Sequence, residues 1–187
     1  MEDKFLIQQI LAGNSSAFKF LVHRYRRPVF KFLRGFDLNE NEIEELAQEA
    51  FLRVYKNLAE YSEDKGASFS TWVFQVAKNL AINELQRSRQ RYEVSEDETS
   101  REISLNHADP GASQEAMLES LEEQTAIGSA MSQIPVEFKN AVVLSCLNEL
   151  SLKDIAEIEN CSVGTVKSRI FRGKQLLRSL MMRRVEV

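Results

Sequence analysis

The chain has 187 residues, of which 43% are hydrophobic and 28% are charged, and its net charge is −4. This composition is typical of a soluble globular protein with one or two domains, and no apolar run approaches the roughly 20 residues that a membrane span requires. The sequence therefore predicts neither membrane insertion nor a signal peptide, and we expect a cytoplasmic location.

Charge is distributed unevenly along the chain. Residues 160–187 contain seven Lys or Arg and one Glu, a net +6, whereas residues 92–119 contain eight Asp or Glu and one Arg, a net −7. A basic C-terminal segment favours contact with nucleic acid, although the total charge is mildly acidic.

The cysteines and histidines do not form a ligand set. Cys146 and Cys161 are not part of a CxxC pair, and His23 and His107 are far from both in sequence. A zinc site needs about four clustered ligands, so we expect no metal, no cofactor and reduced thiols.

The first 41 residues predict two helices and a loop. An apolar period at 4–12 ends at Gly13, and residues 14–16 (Asn-Ser-Ser) offer an N-cap to a second helix. Pro28 is expected to kink or interrupt that helix, and a loop follows at 35–41.

A long amphipathic helix comes next. Asn41 and Glu44 have the spacing of a capping box, and apolar residues then recur at helical spacing from Ile43 to Leu58. The residues outside that apolar stripe are Glu44, Glu45, Gln48, Glu49, Arg53 and Lys56. These polar residues fit either a solvated face or a docking surface for a large partner.

The most distinctive stretch follows a polar loop at 62–68. It begins with Phe69, Trp72 and Phe74, and its apolar residues continue at steps of three or four, which predicts a helix. Its C-terminal end carries Arg87, Arg89 and Arg91. Aromatic side chains beside a basic helix end can stack on exposed bases while the cations hold phosphates. The alternative is a core helix with a solvated basic end.

A polar, acidic segment separates this part from the C-terminal helices. Residues 93–113 have no apolar period and contain Asp109-Pro110-Gly111, which predicts a flexible linker. Helical patterns then follow at 114–133, 136–148, 151–159 and 162–181.

The last two of these helices have a helix-turn-helix pattern. Ser151 and Ser162 are N-caps, Asp154 occupies the third position after Ser151, and Asn160 is the expected left-handed residue of the turn. The predicted small core contains Ile155, Ala156, Val163, Val166 and Ile170. The predicted outward-facing residues are Thr165, Lys167, Ser168, Phe171 and Arg172, with Arg169 at the edge.

No segment alternates with strand period for long, so the predicted fold class is all-α. We expect two helical domains, residues 1–92 and 114–187, joined by the flexible acidic linker at 93–113.

Three motifs, in this order, resemble those of bacterial RNA polymerase sigma factors of the extracytoplasmic-function (ECF) type. EELAQEAFLRVYKNL resembles the helix that grips the core polymerase, and FSTWVFQVAKNLAINELQRSRQ resembles the segment that recognises and opens the −10 element. SLKDIAEIENCSVGTVKSRIFRGKQLL resembles the helix-turn-helix that reads the −35 element. The chain departs from the family pattern at Glu45 and Asn83, where Asp is frequent.

The resemblance implies a role for each motif. Contacts with core RNA polymerase are expected from Glu45, Gln48, Glu49 and Arg53. Contacts with −10 DNA, including a flipped base held beside the 62–68 loop, are expected from Tyr61, Asn79, Asn83, Arg87 and Arg89. Contacts with −35 DNA are expected from Thr165, Lys167, Ser168, Arg169, Phe171, Arg172 and Lys174. No catalytic residue is implied.

The resemblance also implies an anti-sigma factor as a partner, and it leaves two roles open. Trp72 could sit at the opening DNA fork or pack the helices together, and the packing role is preferred. The acidic linker could lie in the RNA-exit channel of the polymerase as a nucleic-acid mimic, or it could be a tether.

Two other functions are compatible with parts of the pattern. A conventional helix-turn-helix regulator with an N-terminal sensing domain would bind a palindrome as a dimer, but the sequence indicates neither a ligand pocket nor a dimer helix. A hydrolase using Glu44, Glu45 and Glu49 would lack a base, a metal and oxyanion partners. The sigma factor is therefore the preferred interpretation.

Overall fold

The computed structural model describes residues 2–36, 38–62, 67–94, 127–147 and 150–185, with backbone only at 89–94 and 183–185. The predicted linker lies outside these ranges except for residues 93 and 94, which end a helix, and so does the first part of the helix predicted at 114–133. Within these ranges every regular element is helical, which confirms the all-α prediction.

The described helices follow one another in this order: α1 (Asp3–Leu11), α2 (Phe18–Leu33), α3 (Glu40–Lys56), α4 (Phe69–Val94), α5 (residues 127–132), α6 (Val136–Val142), α7 (Leu152–Glu159) and α8 (Val163–Val185). Short 3-10 turns precede α2 and follow α3, and a π-helical turn (Val143–Leu147) continues α6.

Helices α1 to α4 form the N-terminal domain, in which α4 packs against both α2 and α3. The apolar residues of α4 recur every three or four positions, and Phe74, Ala77 and Ala81 are buried. The ring of Phe32 in α2 meets Phe74 edge to face, with 5.4 Å between ring centroids. This packing fixes the α4 face that carries the predicted DNA-contacting residues.

Of the two expectations for Pro28, a kink or an interruption of α2, the interruption is wrong. The helix continues through Pro28, because buried Tyr25, Val29 and Phe32 hold the turns on both sides of it against the core. The N-cap expected at 14–16 is also absent, since α2 is entered from a 3-10 turn and has no side-chain cap.

The capping box of α3 forms two residues earlier than predicted. Asn39 Oδ1 accepts a hydrogen bond from the Glu42 backbone N–H at 3.0 Å, and the Glu42 carboxylate accepts one from the Asn39 N–H at 2.7 Å. Asn39 and Glu42 have the same spacing as Asn41 and Glu44, so sequence spacing does not distinguish the two pairs.

The helix-turn-helix forms as the sequence predicts. The hydroxyl oxygens of Ser151 and Ser162 each accept a backbone N–H at 3.1 Å, and Asn160 has a left-handed φ of 51°. Ile155 and Val166 are fully buried between α7 and α8. Val163 does not join this core and is 40% exposed, because it begins α8 one turn before Val166.

Helix α8 lies very close to α6. An added Cβ at Gly173 would be 2.6 Å from Val142 Cγ2 and 3.0 Å from the Phe138 carbonyl oxygen. Gly173 therefore allows a close approach that fixes the rotation of α8 and leaves the neighbouring Arg172 exposed.

Candidate nucleic-acid interface

The outer face of α8 is polar, basic and accessible. Phe171 is 62% exposed, while Val166 and Gly173 are buried on the opposite side of the helix. The predicted −35 residues that are exposed are Thr165, Lys167, Ser168, Phe171, Arg172 and Lys174. The structure therefore brings these six side chains to one solvent-facing surface near the start of α8, where a recognition helix meets base edges.

Arg169 differs from its neighbours. Its Nη1 lies 3.2 Å from Glu159 Oε2, and the guanidinium also approaches the Cys161 sulfur at 3.8 Å. An arginine held by a carboxylate has less freedom to reach a phosphate, so Arg169 is a weaker candidate for a DNA contact than Lys167 or Arg172.

Glu159 lies in an enclosed environment at the end of α7. Its side chain is 5% exposed. Lys78 Nζ lies 3.7 Å from Glu159 Oε1, and this oxygen accepts no hydrogen bond from the described residues. Burial raises the pKa of the Glu159 carboxyl, the nearby Lys78 and Arg169 offset part of the rise, and Glu137 adds to it.

Replacing Glu159 with Gln tests this environment. Because the folded-state pKa of Glu159 is raised, its contribution to stability is present below the ordinary value of 4.5 and is lost as pH rises through the folded-state pKa. The neutral amide avoids this loss, so Glu159→Gln should gain stability relative to the unmodified protein between pH 4.5 and pH 7. Urea unfolding across this range measures the difference, with Glu44→Gln controlling for loss of a surface charge. A stability difference that is constant with pH would contradict the inference.

A second polar surface lies on α4. Asn79 and Asn83 are both exposed, and they share one face of the helix because they are four residues apart. Arg87 is exposed one turn further on, with Nη1 3.8 Å from the Glu84 carboxylate. The side chain of Arg89 lies outside the described residues.

Tyr61 is packed into an aromatic cluster beside the start of α4. Its ring stacks on Trp72 at 5.2 Å and meets Phe69 edge to face at 5.4 Å, while its hydroxyl donates to the Ala67 carbonyl oxygen at 3.3 Å. Trp72 packs against the core but is half-buried. This position fits the preferred packing role of Trp72 and leaves part of its ring accessible.

The polar face of α3 forms a third surface, separate from the surfaces on α4 and α8. Glu45 and Gln48 are exposed, and Glu49 pairs with Arg53 at 2.7 Å. Leu52 lies three residues after Glu49, outside the apolar stripe, and is 45% exposed. Leu52 was not predicted to be part of this surface, although its position outside the apolar stripe indicates that it faces outward.

Two further observations concern the described part of the chain. No three His, Cys, Asp or Glu side chains in it are grouped as ligands for a metal ion. None of its helices has both the length and the apolar character of a membrane span.

A helical domain with two polar surfaces, followed by a helix-turn-helix with a basic outer face, defines a two-domain DNA-binding protein. Residues 21–91 match the family model of sigma-70 region 2, and residues 124–177 match that of sigma-70 region 4. The chain is 35% identical to the ECF RNA polymerase sigma factor SigW of Bacillus subtilis, over 92% of each protein. It is 30% identical to the ECF RNA polymerase sigma-E factor of Haemophilus influenzae, over 95% of this chain and 94% of that protein. The chain belongs to the ECF family of RNA polymerase sigma factors.

Two solved structures have a similar fold. One is CnrH in complex with the cytosolic domain of CnrY, with a TM-score of 0.68, 21% identity and coverage of 96% of each chain. The other is the sigma factor RpoE in complex with the anti-sigma factor NepR from Bartonella quintana, with a TM-score of 0.73, 18% identity and coverage of 88% of this chain and 96% of that chain. At these identities the likeness concerns the fold.

Proposed function

We propose that this protein binds core RNA polymerase and directs it to promoters by reading the −35 and −10 elements and helping to open the DNA. The observation that carries the proposal is that one chain presents three separate accessible surfaces, on α3, α4 and α8, in the order of the family motifs. A conventional regulator with an N-terminal sensing domain is not favoured, because the N-terminal part matches sigma-70 region 2.

The division of labour follows the domains. Residues 1–92 would bind the polymerase and the −10 element, residues 114–187 would bind the −35 element, and residues 93–113 would link them. As a factor that acts through the polymerase, the protein would itself be non-catalytic and would work in the cytoplasm.

The −10 chemistry fits the exposed amides on α4. Extracting a base from the stack costs a few kcal/mol, which stacking and hydrogen bonds in the pocket must offset. An asparagine amide offers both a donor and an acceptor to a base edge, so Asn79 and Asn83 can provide the hydrogen bonds. The half-buried ring of Trp72 stacks on the ring of Tyr61 at 5.2 Å and can add an apolar contact.

An anti-sigma factor is a further proposed partner. The RpoE structure with a similar fold contains an anti-sigma factor, and CnrH is held by the cytosolic domain of CnrY. Co-purification of this chain with proteins from its own cell would test this partner.

Binding to core polymerase is tested by charge reversal on α3. Glu45→Lys with Glu49→Lys should weaken assembly roughly tenfold or more, because reversed charges at an interface repel a complementary partner. The fold should persist, since surface substitutions seldom shift stability by more than about 0.5 kcal/mol. Affinity is measured by titration with purified core polymerase.

The matched control places the same charge change elsewhere on the surface, with Glu2→Lys and Glu60→Lys, both at exposed positions. This control should assemble like the unmodified protein. If the α3 double reversal also leaves the affinity unchanged, the α3 face is not the polymerase contact.

A further inference from the structure

Helix α4 of the N-terminal domain is hydrogen-bonded to α7 of the C-terminal domain. Thr71 Oγ1 donates to Asp154 Oδ1 at 3.0 Å, and Gln75 Nε2 donates to the Glu157 carbonyl oxygen at 3.5 Å. Lys78 Nζ donates to the Ile158 carbonyl oxygen at 2.9 Å. Steps of four and three residues place Thr71, Gln75 and Lys78 on one face of α4.

Lys78 contacts α7 at its C-terminal end, where helical carbonyl groups lack partners within the helix. The ammonium group satisfies one such carbonyl and also lies 3.7 Å from the Glu159 carboxylate, with its side chain 15% exposed. A cation at a helix C-terminus is favoured by the helix dipole. The N-terminal domain thus supplies a cap for a helix of the C-terminal domain.

A second contact extends this interface. An added Cβ at Gly35, just after α2, would be 2.7 Å from Asn140 Oδ1 on α6. Val143 and Leu144 of the following π-helical turn are buried in the same apolar cluster as Phe32. The two domains therefore share a continuous core in addition to the three hydrogen bonds.

This arrangement conflicts with reading two promoter elements at once. Elements centred about 25 base pairs apart are separated by ~85 Å along B-form DNA, at about 3.4 Å per base pair. A compact chain of this length measures about 40 Å across. The contact between α4 and α7 must therefore open before both elements are bound by one molecule.

We propose that the α4–α7 contact is an autoinhibitory latch, in which Lys78 caps α7 and thereby holds the free protein in a closed form that cannot span a promoter. The inhibitory effect of the latch on promoter binding rests on the proposed function. The latch holds the −10 and −35 surfaces too close together to span a promoter. It does not cover these surfaces, because Asn79, Asn83 and Arg172 are exposed in the closed form.

Because the latch must open before assembly, a large closed fraction lowers the apparent affinity for core polymerase. The apparent dissociation constant equals the intrinsic constant divided by the fraction of open protein. Substitutions that weaken the latch should therefore tighten assembly.

The first experiment measures the distance between the domains in the free protein. Spin labels at Gln8→Cys and Gln175→Cys, in a Cys146→Ser and Cys161→Ser background, report on α1 and α8. Lys78→Met keeps the aliphatic stem but removes the cap, and Lys19→Met, at an exposed position on α2, is the matched control. The unmodified protein and the control should give one short distance, whereas Lys78→Met should populate longer distances and bind core polymerase roughly tenfold more tightly.

A second experiment locks the closed form. Gln75→Cys with Glu157→Cys, in the same background, places two thiols across the α4–α7 contact, where a short bis-methanethiosulfonate linker joins them through disulfide bonds. The crosslinked protein should fail to assemble with core polymerase, and a reductant that cleaves the linker should restore assembly. Because this variant gains a bond, its result does not depend on how well Lys78→Met folds.

The outcomes separate the latch from the proposed function. Unchanged distances in Lys78→Met, or full assembly of the verified crosslinked form, would overturn the latch. If the unmodified protein itself does not bind core polymerase, the proposed function fails, while the distance measurement still decides whether the contact exists.

Discussion

Arg172→Ala is expected to cost roughly 1–3 kcal/mol of binding to the preferred −35 sequence and to relax the preference at one base position. Arg172 is exposed on the outer face of α8, one residue before the glycine that fixes the helix against α6. Arginine pairs in bidentate fashion with guanine in the major groove, and loss of such a pair removes discrimination at that position. Binding is measured by competition between −35 variants with the assembled holoenzyme.

Lys174→Ala is the matched comparison. Lys174 is also exposed, two residues further along α8, where it is placed to hold a phosphate. Its loss should weaken all sequences alike and flatten the salt dependence, because phosphate contacts position the helix without reading sequence. If Arg172→Ala weakens every −35 variant equally, with the preference profile intact, Arg172 is a phosphate contact and another residue reads the base.

Asn79→Ala is expected to slow formation of the open complex roughly 5- to 150-fold on a duplex promoter, since a lost hydrogen-bond pair to a base costs about 1–3 kcal/mol. A promoter already mismatched across the −10 region should also be affected, because the contact is to the unpaired base. Open-complex formation is followed by permanganate reactivity of unpaired thymines.

Asn41→Ala removes an exposed amide of the same size from α3 and should leave opening unchanged. If Asn79→Ala behaves like this control on both templates, the base pocket does not include Asn79.

Local signals made the helix-turn-helix predictable from sequence. A serine N-cap accepts a hydrogen bond from a backbone N–H three residues later, and a left-handed Asn ends a helix within one turn. Both are local interactions, so Ser151, Asn160 and Ser162 can be identified without knowing the fold. The outward face of α8 follows in the same way, once Val166 is assigned to the core.

Contacts between distant parts of the chain could not be predicted in this way. Thr71 and Asp154 are 83 residues apart, and nothing in either local sequence indicates that they meet. The ion pair between Arg169 and Glu159 likewise depends on how α8 turns back on α7, so the sequence could place Arg169 at an edge but could not identify its partner.

Local signals of equal strength also led to two wrong predictions. Two Asn-to-Glu pairs offered the same capping box at the start of α3, and the box that forms is the one between Asn39 and Glu42. A proline inside an apolar-periodic segment reads as a break, yet burial on both sides of Pro28 carries α2 through it.

Run-off transcription with purified core polymerase tests the central claim most directly. The template is a linear duplex that carries the −35 and −10 elements selected by the holoenzyme, and the readout is the length and amount of the transcript. Addition of this protein should give a transcript that starts at one position downstream of the two elements, and disruption of either element should abolish it. If the protein binds the duplex without polymerase, as a dimer on a palindrome, and the core enzyme yields no transcript from a defined start, it does not act as a sigma factor.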